Sequence, residues 1–235
     1  CALPIFQDPL NSKVWGNNII LFLWGLVLGF WVPLVQAILL DEIRRYKTAF
    51  RVGYLLPSII PAVATAVIWK WIYNPDWGLL NNIFTRFGLP AQGWLNDPSQ
   101  AKFSLMLPSL LGGGLSVFIY LSALQGVPQH LYESADIDGA TIWTKIRHIT
   151  IPSILPIVGL QFILALTSAF QIFDNVYIMT LGGPADATRV IALNIYYYAF
   201  ERIQMGYASA MSVLLFVVTF ILVAIQLKIT PSEAQ

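Results

Sequence analysis

Charged residues are absent from five long stretches of this chain, and that distribution limits what the chain can fold into. The stretches cover residues 14–40, 52–69, 103–132, 149–173 and 203–227. A bilayer core needs about 20 apolar residues per helical span, and a charged side chain at its centre costs at least ~2.5 kcal/mol. We therefore predict an all-α integral membrane protein whose charged residues lie between its spans.

The composition supports a membrane protein and excludes several other classes. Charged residues make up 11% of the 235 and hydrophobic residues 57%, whereas soluble domains carry about 25% charged residues. The formal net charge of +1 and the lack of a basic stripe do not indicate nucleic-acid binding. The single cysteine, Cys1, excludes an internal disulfide and a cysteine metal cluster, and two distant histidines, His130 and His148, do not predict a metal site.

Five transmembrane helices and one hydrophilic insert organise the chain. We predict a polar extracytoplasmic loop at residues 1–14 and one transmembrane domain at 15–230. Its spans are expected at about 15–40, 50–73, 102–124, 152–181 and 205–228, and the insert lies at about 125–150. The chain does not begin with Met, and we expect a sixth span upstream, which would make the number of spans even.

The Lys and Arg residues of the short loops predict the orientation. Seven lie in the 41–51 loop, the insert and the tail from residue 228, and six lie in the other loops, which are about twice as long in total. Because cytoplasmic loops carry an excess of Lys and Arg, we place the first group, and with it the insert, in the cytoplasm.

The insert is predicted to form two short helices. Gly139 can adopt a positive φ and end the first helix, and Thr141 is a suitable N-cap for the second. Pro152 suits the first turn of the membrane helix that follows. These features alone leave open an ordinary amphipathic cytoplasmic loop.

The insert also resembles the EAA loop of binding-protein-dependent ABC importer permeases. That pattern is Glu-Ala-Ala, three residues, Gly, nine residues and Ile-x-Leu-Pro. This chain has Glu133-Ser134-Ala135, Gly139 and Ile149-Thr150-Ile151-Pro152, with Ser134 and Ile151 as mild departures. Other segments resemble the carbohydrate branch of the family, which includes the maltose-type permeases: Trp71–Pro75, Phe173-Asp174, Tyr177–Thr180, Gly182–Pro184 and Gly206–Ala210.

The resemblance implies that the insert is a coupling helix, which docks on a cytoplasmic ATPase and passes its movement to the membrane helices. The residues that match this role are Glu133, Ser134, Ala135, Asp138, Gly139, Ile149 and Pro152. The chain has no G-x-x-x-x-G-K-[ST] motif, which cradles nucleotide phosphates. We therefore expect no enzyme activity in this chain and no cofactor of its own, with ATP and Mg²⁺ held by the partner ATPase.

The resemblance also implies the other partners and the location. We expect a second permease subunit, homologous or identical, a cytoplasmic ATPase dimer, an extracytoplasmic solute-binding protein and a sugar substrate, in the bacterial cytoplasmic membrane. Contacts with the binding protein are expected at Asp76, Trp77 and Asp186, which flank predicted outer ends of spans.

A sugar site needs polar groups that match hydroxyls, together with apolar or aromatic faces. Polar, aromatic and small residues of spans three and four give the candidates for the substrate pathway, namely Ser109, Gly112, Phe170, Gln171, Asp174 and Tyr177. Two alternatives stay open. The small residues around Gly112 suit close helix packing, and Asp174 suits a cap at the outer end of its span.

Rival functions differ in the sequence features that they require. An importer of amino acids, phosphate or peptides would share the EAA loop, but the Tyr-Asn-Pro and Gly-Gly-Pro segments favour the sugar branch. A membrane enzyme would need a cluster of His, Asp or Ser at a membrane face. A channel or secondary transporter would not need an EAA loop. Co-purification with an ATPase separates these classes.

Overall fold

The structure is a computed structural model that describes residues 8–42, 52–53, 56, 59–110 and 114–229. In these residues every regular element is helical, as predicted. The helices are α1 (Pro9–Glu42), α2 (Ala62–Ile72), α3 (Leu79–Arg86), α4 (Ala101–Leu110), α5 (Gly114–Gln125), α6 (Gln129–Ile137), α7 (Ile142–Lys145), α8 (Leu155–Phe170), α9 (Asp174–Met179), α10 (Ile191–Tyr196) and α11 (Met205–Ile229).

Helix α1 begins earlier than the sequence predicted. The Asp8 carboxylate accepts a hydrogen bond from the Leu10 N–H at 2.9 Å, and Pro9 fills the first helical turn, where its missing N–H costs nothing. Val14 is fully buried. The loop prediction for residues 1–14 is therefore wrong from Pro9 onward, because Asp-Pro starts the helix before the apolar run does.

Among the described residues, three helices are long and apolar enough to cross a membrane: α1, the run Leu155–Met179 and Met205–Lys228. The pair α4 and α5 would make a fourth span, bent by 40°. The described part of the predicted second span is mainly α2, which has 11 residues and is shorter than a span by itself. The multi-pass helical architecture thus agrees with the sequence, whereas the count of five spans stays a prediction.

The predicted fourth span differs from the structure at its start and in its middle. Helix α8 begins at Leu155 with Pro156 in its first turn, while Pro152 lies in a separate short helix, Ile151–Ser153. The helical hydrogen bonding is interrupted at residues 171–173 before α9 begins. Polar side chains near this interruption therefore do not lie on one continuous helix face.

Helix α1 contacts both of the regions that carry the candidate sites. Near its middle, a Cβ built at Gly25 would lie 3.1 Å from Cβ of Ala169 on α8, so the two helices pack closely through small residues. Near its end, Leu34 and Ala37 belong to one buried cluster with Val117 and Tyr120 of α5. The helix also contains a π-helical turn, Val27–Trp31.

Candidate coupling segment and translocation cavity

The predicted coupling segment consists of α6 and α7 joined by a sharp bend at Gly139. Gly139 has φ +72°, and its N–H donates to the Asp136 carbonyl at 3.1 Å, while the Ala140 N–H donates to the Ala135 carbonyl at 2.9 Å. The Thr141 hydroxyl accepts from the Thr144 N–H at 3.3 Å and caps α7. The predicted roles of Gly139 in ending one helix and of Thr141 in starting the next are confirmed.

Two side-chain contacts join the arms of this bend. Lys145 Nζ on α7 donates to the Asp136 carboxylate on α6. Tyr132 Oη shares a hydrogen bond of 3.0 Å with Oγ1 of Thr150, which is buried. After Lys145 the chain continues through a π-helical turn, Ile146–Thr150, and the short helix Ile151–Ser153 into α8. The contacts therefore link α6 to the chain that leads directly into a membrane helix.

The outer surface of the coupling segment is apolar at its most prominent points. Ile137 is 88% exposed and Trp143 is 79% exposed, on the two sides of the bend. A Trp side chain in contact with water at a charged loop is a feature of protein interaction surfaces. Of the seven residues matched to the coupling role, Glu133, Ser134, Asp138, Gly139 and Pro152 are exposed, and Ala135 and Ile149 are partly exposed.

Beneath the coupling segment lies a cavity of about 350 Å³. Ile38, Asp41 and Glu42 at the end of α1 form one wall, and Glu133 and Lys145 contribute to the other. The end of α1 is thus brought next to the segment expected to bind the ATPase.

A second cavity, of about 420 Å³, lies between α1, α4, α5 and α8. We call it the central cavity. Its polar lining residues are Ser109, Ser116, Gln161, Ser168 and Asn175. Gln161 is 4% exposed, and its Nε2 has no hydrogen-bond partner in the described part of the chain. A buried amide donor without a partner is costly.

The structure separates the predicted pathway residues into several places. Ser109 lines the central cavity, whereas Gln171 and Asp174 are exposed at the interruption between α8 and α9 and do not line it. Phe170 is buried against Phe22, with ring centroids 5.2 Å apart. Gly112 lies outside the described residues.

Tyr177 belongs to an aromatic row formed by α9 and the end of α10. It stacks on Phe173 with centroids 5.3 Å apart and meets Tyr196 edge-on at 5.1 Å. Phe200 continues the row at 5.2 Å from Tyr196. This row holds α9 against the segment that follows α10.

The predicted binding-protein contacts lie in two turns. The Asn74 side-chain oxygen accepts from the N–H groups of Asp76 and Trp77 at 3.0 and 3.2 Å, which leaves Trp77 half exposed beside Trp71. Asp186 has φ +57° and pairs with Arg189 at 3.1 Å. Asp76 is exposed and Asp186 is partly exposed.

The loop before α4 carries a negative charge at its surface, on the Asp97 carboxylate. The hydroxyl and N–H of Ser99 donate to the Asp97 carboxylate at 2.7 and 2.8 Å. These hydrogen bonds hold the pKa of Asp97 below its ordinary value, because they favour the charged form.

Helix α1 carries a row of buried asparagines that was not predicted from the sequence. Asn17 Nδ2 donates to the carbonyls of Asp186 and Arg189 at 2.7 and 3.0 Å, and Asn18 Oδ1 accepts from the Ile191 N–H at 3.2 Å. They fix the turn that carries Asp186 to the first membrane helix. The available signal was an Asn pair inside a charge-free stretch, where polar side chains need a partner.

Comparison with known proteins then decides the family. The family model described as "Binding-protein-dependent transport system inner membrane component" matches residues 25–233. The chain belongs to this family. The resemblance inferred from the insert is therefore confirmed, and the chain is a membrane component of a binding-protein-dependent transport system.

Curated relatives and a solved structure agree with this membership. The chain is 32% identical over 229 residues to "Probable ABC transporter permease protein YurN" of Bacillus subtilis, covering 95% of this chain and 78% of the relative. It is 32% identical to "Trehalose/maltose transport system permease protein MalF" of Thermococcus litoralis, covering 82% and 65%. A solved bacterial alginate ABC transporter, in complex with an alginate pentasaccharide-bound periplasmic protein, matches with a TM-score of 0.90 and 25% identity, covering 95% of this chain and 79% of that one.

Proposed function

We propose that this chain is the permease subunit of an ATP-driven importer for a sugar or oligosaccharide, in the bacterial cytoplasmic membrane. Family membership supports transport that depends on a binding protein. The substrate class is supported by relatives named for trehalose/maltose, lactose and arabinooligosaccharides.

The observation that carries this function is the coupling segment. It presents the exposed side chains Ile137 and Trp143 on a bend that continues into α8. An ATPase that grips this surface would move α8, which forms part of the wall of the central cavity. The hydrolysis itself, with ATP and Mg²⁺, belongs to the partner ATPase dimer, since this chain carries no phosphate-binding loop motif.

The remaining partners follow from the same role. A second permease subunit, homologous or identical, completes the pathway, and a solute-binding protein delivers the sugar to the outer turns at Asp76, Trp77 and Asp186. The solved alginate transporter provides a precedent for a complex with a periplasmic protein.

The function is tested on the complete complex of both permease subunits, the ATPase and the binding protein, reconstituted in proteoliposomes. We expect ATP hydrolysis to rise when the sugar-loaded binding protein is added, and labelled sugar to enter the vesicles. Glu133→Lys, which reverses the charge of an exposed coupling residue, should abolish both responses while the subunits still assemble. Wild-type uptake and stimulated hydrolysis in this variant would contradict the role of the segment.

A further inference from the structure

We propose that Asn194 is a positioning residue for docking of the binding protein, because it holds Arg189 and, through Arg189, the carboxylate of Asp186. The proposal rests on the proposed importer function, in which a solute-binding protein contacts the turn that carries Asp186. It adds a buried residue of α10 that controls how tightly the binding protein docks without touching it. We call residues 185–189 the docking turn.

The backbone of the docking turn is strained and is fixed to helix α1. Ala185 and Asp186 have φ values of +49° and +57°, in the left-handed region that is unfavourable for most L-residues. Residues in this region keep their conformation only where the surrounding structure fixes it. Lys13 Nζ donates to the Ala185 carbonyl at 2.6 Å, and Asn17 Nδ2 donates to the Asp186 carbonyl at 2.7 Å. These contacts fix the backbone of the turn, whereas the direction of the Asp186 side chain depends on other residues.

The Asp186 side chain is directed by the guanidinium group of Arg189, which is held on three sides. Its Nη1 donates to Asp186 Oδ1 at 3.1 Å, and its Nε donates to Asn194 Oδ1 at 2.9 Å. Its Cζ lies 4.7 Å from the centroid of the Tyr197 ring. Because the guanidinium is planar and its N–H groups have a fixed geometry, the contact at Nε also fixes the direction of Nη1. The Arg189 side chain is 17% exposed and that of Asp186 42%, so a mostly buried cation holds a carboxylate that is open to a partner.

Asn194 holds this guanidinium from inside the protein. Its side chain is 0% exposed, so it does not reach the surface of the docking turn. While its Oδ1 accepts from Arg189, its Nδ2 donates to Asn11 Oδ1 on α1 at 3.2 Å. Asn11 Nδ2 in turn donates to Tyr207 Oη on α11 at 2.6 Å. Rotation of the Asn194 amide away from Arg189 would leave buried polar groups unpaired, which is costly. The amide therefore has one orientation, and it sets the orientation of Arg189.

The test separates docking of the binding protein from the rate of ATP hydrolysis in the complete importer, reconstituted in proteoliposomes. Hydrolysis is followed against the concentration of the cognate binding protein, loaded with whichever of maltose, lactose or arabinotriose stimulates the wild type most. Each titration gives a half-saturating concentration and a maximal rate. Asn194→Ala removes both contacts of the amide. We expect it to raise the half-saturating concentration by up to about tenfold, the effect of losing one hydrogen bond, and to lower the maximal rate much less.

Two further variants test whether the contact with Arg189 is what matters. Arg189→Lys keeps the positive charge but loses the planar group that bonds to Asp186 and Asn194 together, so it should raise the half-saturating concentration as Asn194→Ala does. Asn194→Asp keeps the acceptor for Arg189, and the Asn11 amide can turn to donate to it, so this variant should remain close to the wild type. Should Asn194→Ala fail to assemble, these two variants decide, and equal half-saturating concentrations in both would contradict the proposal.

A double variant tests whether Asn194 acts through Asp186. Asp186→Ala should itself raise the half-saturating concentration, and adding Asn194→Ala should raise it no further, because changes within one hydrogen-bonded network are not additive. Thr219→Val, which removes a buried hydroxyl of α11 that donates to the Leu215 carbonyl at 2.8 Å, is the control and should leave the half-saturating concentration and the maximal rate unchanged.

The proposal would be overturned by an unchanged half-saturating concentration in Asp186→Ala or in Asn194→Ala, or by effects of these two changes that multiply in the double variant. In each of these cases the importer function stands, because the wild-type complex still responds to the loaded binding protein. If no sugar-loaded binding protein stimulates the wild-type complex and no sugar enters the vesicles, the importer function fails, and this proposal with it.

Discussion

Gly139 is the residue on which the shape of the coupling segment depends. Its φ of +72° lies in the left-handed region, and a Cβ built there meets nothing within 4 Å. The requirement is therefore conformational and not a matter of space. Residues differ in how well they tolerate this region, with Asn accepting it and β-branched residues strongly disfavouring it.

This difference gives a matched pair of variants. Gly139→Val should distort the bend, because the left-handed conformation costs about 1–2 kcal/mol in an ordinary L-residue, and stimulated ATP hydrolysis should fall to the basal rate. Gly139→Asn should keep most of the stimulation. The measurement is hydrolysis by the purified complex with and without loaded binding protein. Equal activity in the two variants would show that the positive φ is not needed for coupling.

A second prediction for a single residue concerns Gln171 and substrate uptake. Its side chain is exposed at the interruption between α8 and α9, next to the aromatic row that contains Tyr177. We predict that Gln171→Leu lowers sugar uptake, by up to about tenfold for the loss of one hydrogen bond, without loss of assembly. Uptake assays on the complete importer check this, with assembly of the subunits measured in parallel. Unchanged uptake would assign Gln171 to the surface and not to the pathway.

At the scale of the element, the coupling segment is held together across its bend. The pair Asp136–Lys145 joins α6 to α7, and Tyr132 joins α6 to Thr150. Asp136 is 65% exposed and Lys145 19%, so the pair contributes at most about 1 kcal/mol to stability. We expect the pair to matter instead for coupling, by making α6 and α7 move together when the partner ATPase moves the segment.

Reversing the charges of the Asp136–Lys145 pair distinguishes a role in coupling from a contribution to the stability of the fold. We predict that Lys145→Glu reduces stimulated hydrolysis and uptake, while Asp136→Lys combined with Lys145→Glu restores a large part of both, because the reversed pair can form again. Thermal unfolding of the complex should change little in either variant. A double variant no better than the single one would indicate that Lys145 contacts the ATPase directly.

The shape of the coupling segment could be predicted because it depends on local sequence. The start of α1 and the central cavity could not be predicted, because they depend on contacts between residues far apart in the sequence. Gly139 and Thr141 determine the bend through contacts within a few residues along the chain, so the local sequence is enough to predict it. The start of α1 was missed because residues 9–14 look polar. Asn11 is nevertheless buried there, because its side chain has partners far along the chain. Its Nδ2 donates to Tyr207 Oη at 2.6 Å, and its Oδ1 accepts from Asn194 Nδ2 at 3.2 Å, and both partners are more than 180 residues away. The central cavity could likewise not be predicted from the sequence, since its lining residues come together only when α1, α4, α5 and α8 pack around it.

At the scale of the whole molecule, α1 connects the outer turns to the coupling segment. Its asparagines hold the turn at Asp186, its middle lines the central cavity, and its final residues Asp41 and Glu42 face the coupling segment. We therefore expect binding-protein docking at one end and ATPase movement at the other to act on one continuous helix. This arrangement serves transport only if the two ends lie on opposite sides of the membrane.

The orientation is therefore the prediction that the whole molecule must meet. Asn96 and Thr144 are both exposed, and the excess of basic residues places Thr144 in the cytoplasm. In a Cys1→Ser background, Asn96→Cys should react with an impermeant maleimide added to intact cells, because the loop before α4 faces outward. Thr144→Cys should react only after the membrane is opened, which also shows that the thiol is accessible. Labelling of position 144 but not 96 in intact cells would reverse the orientation and leave the coupling segment on the side without ATP.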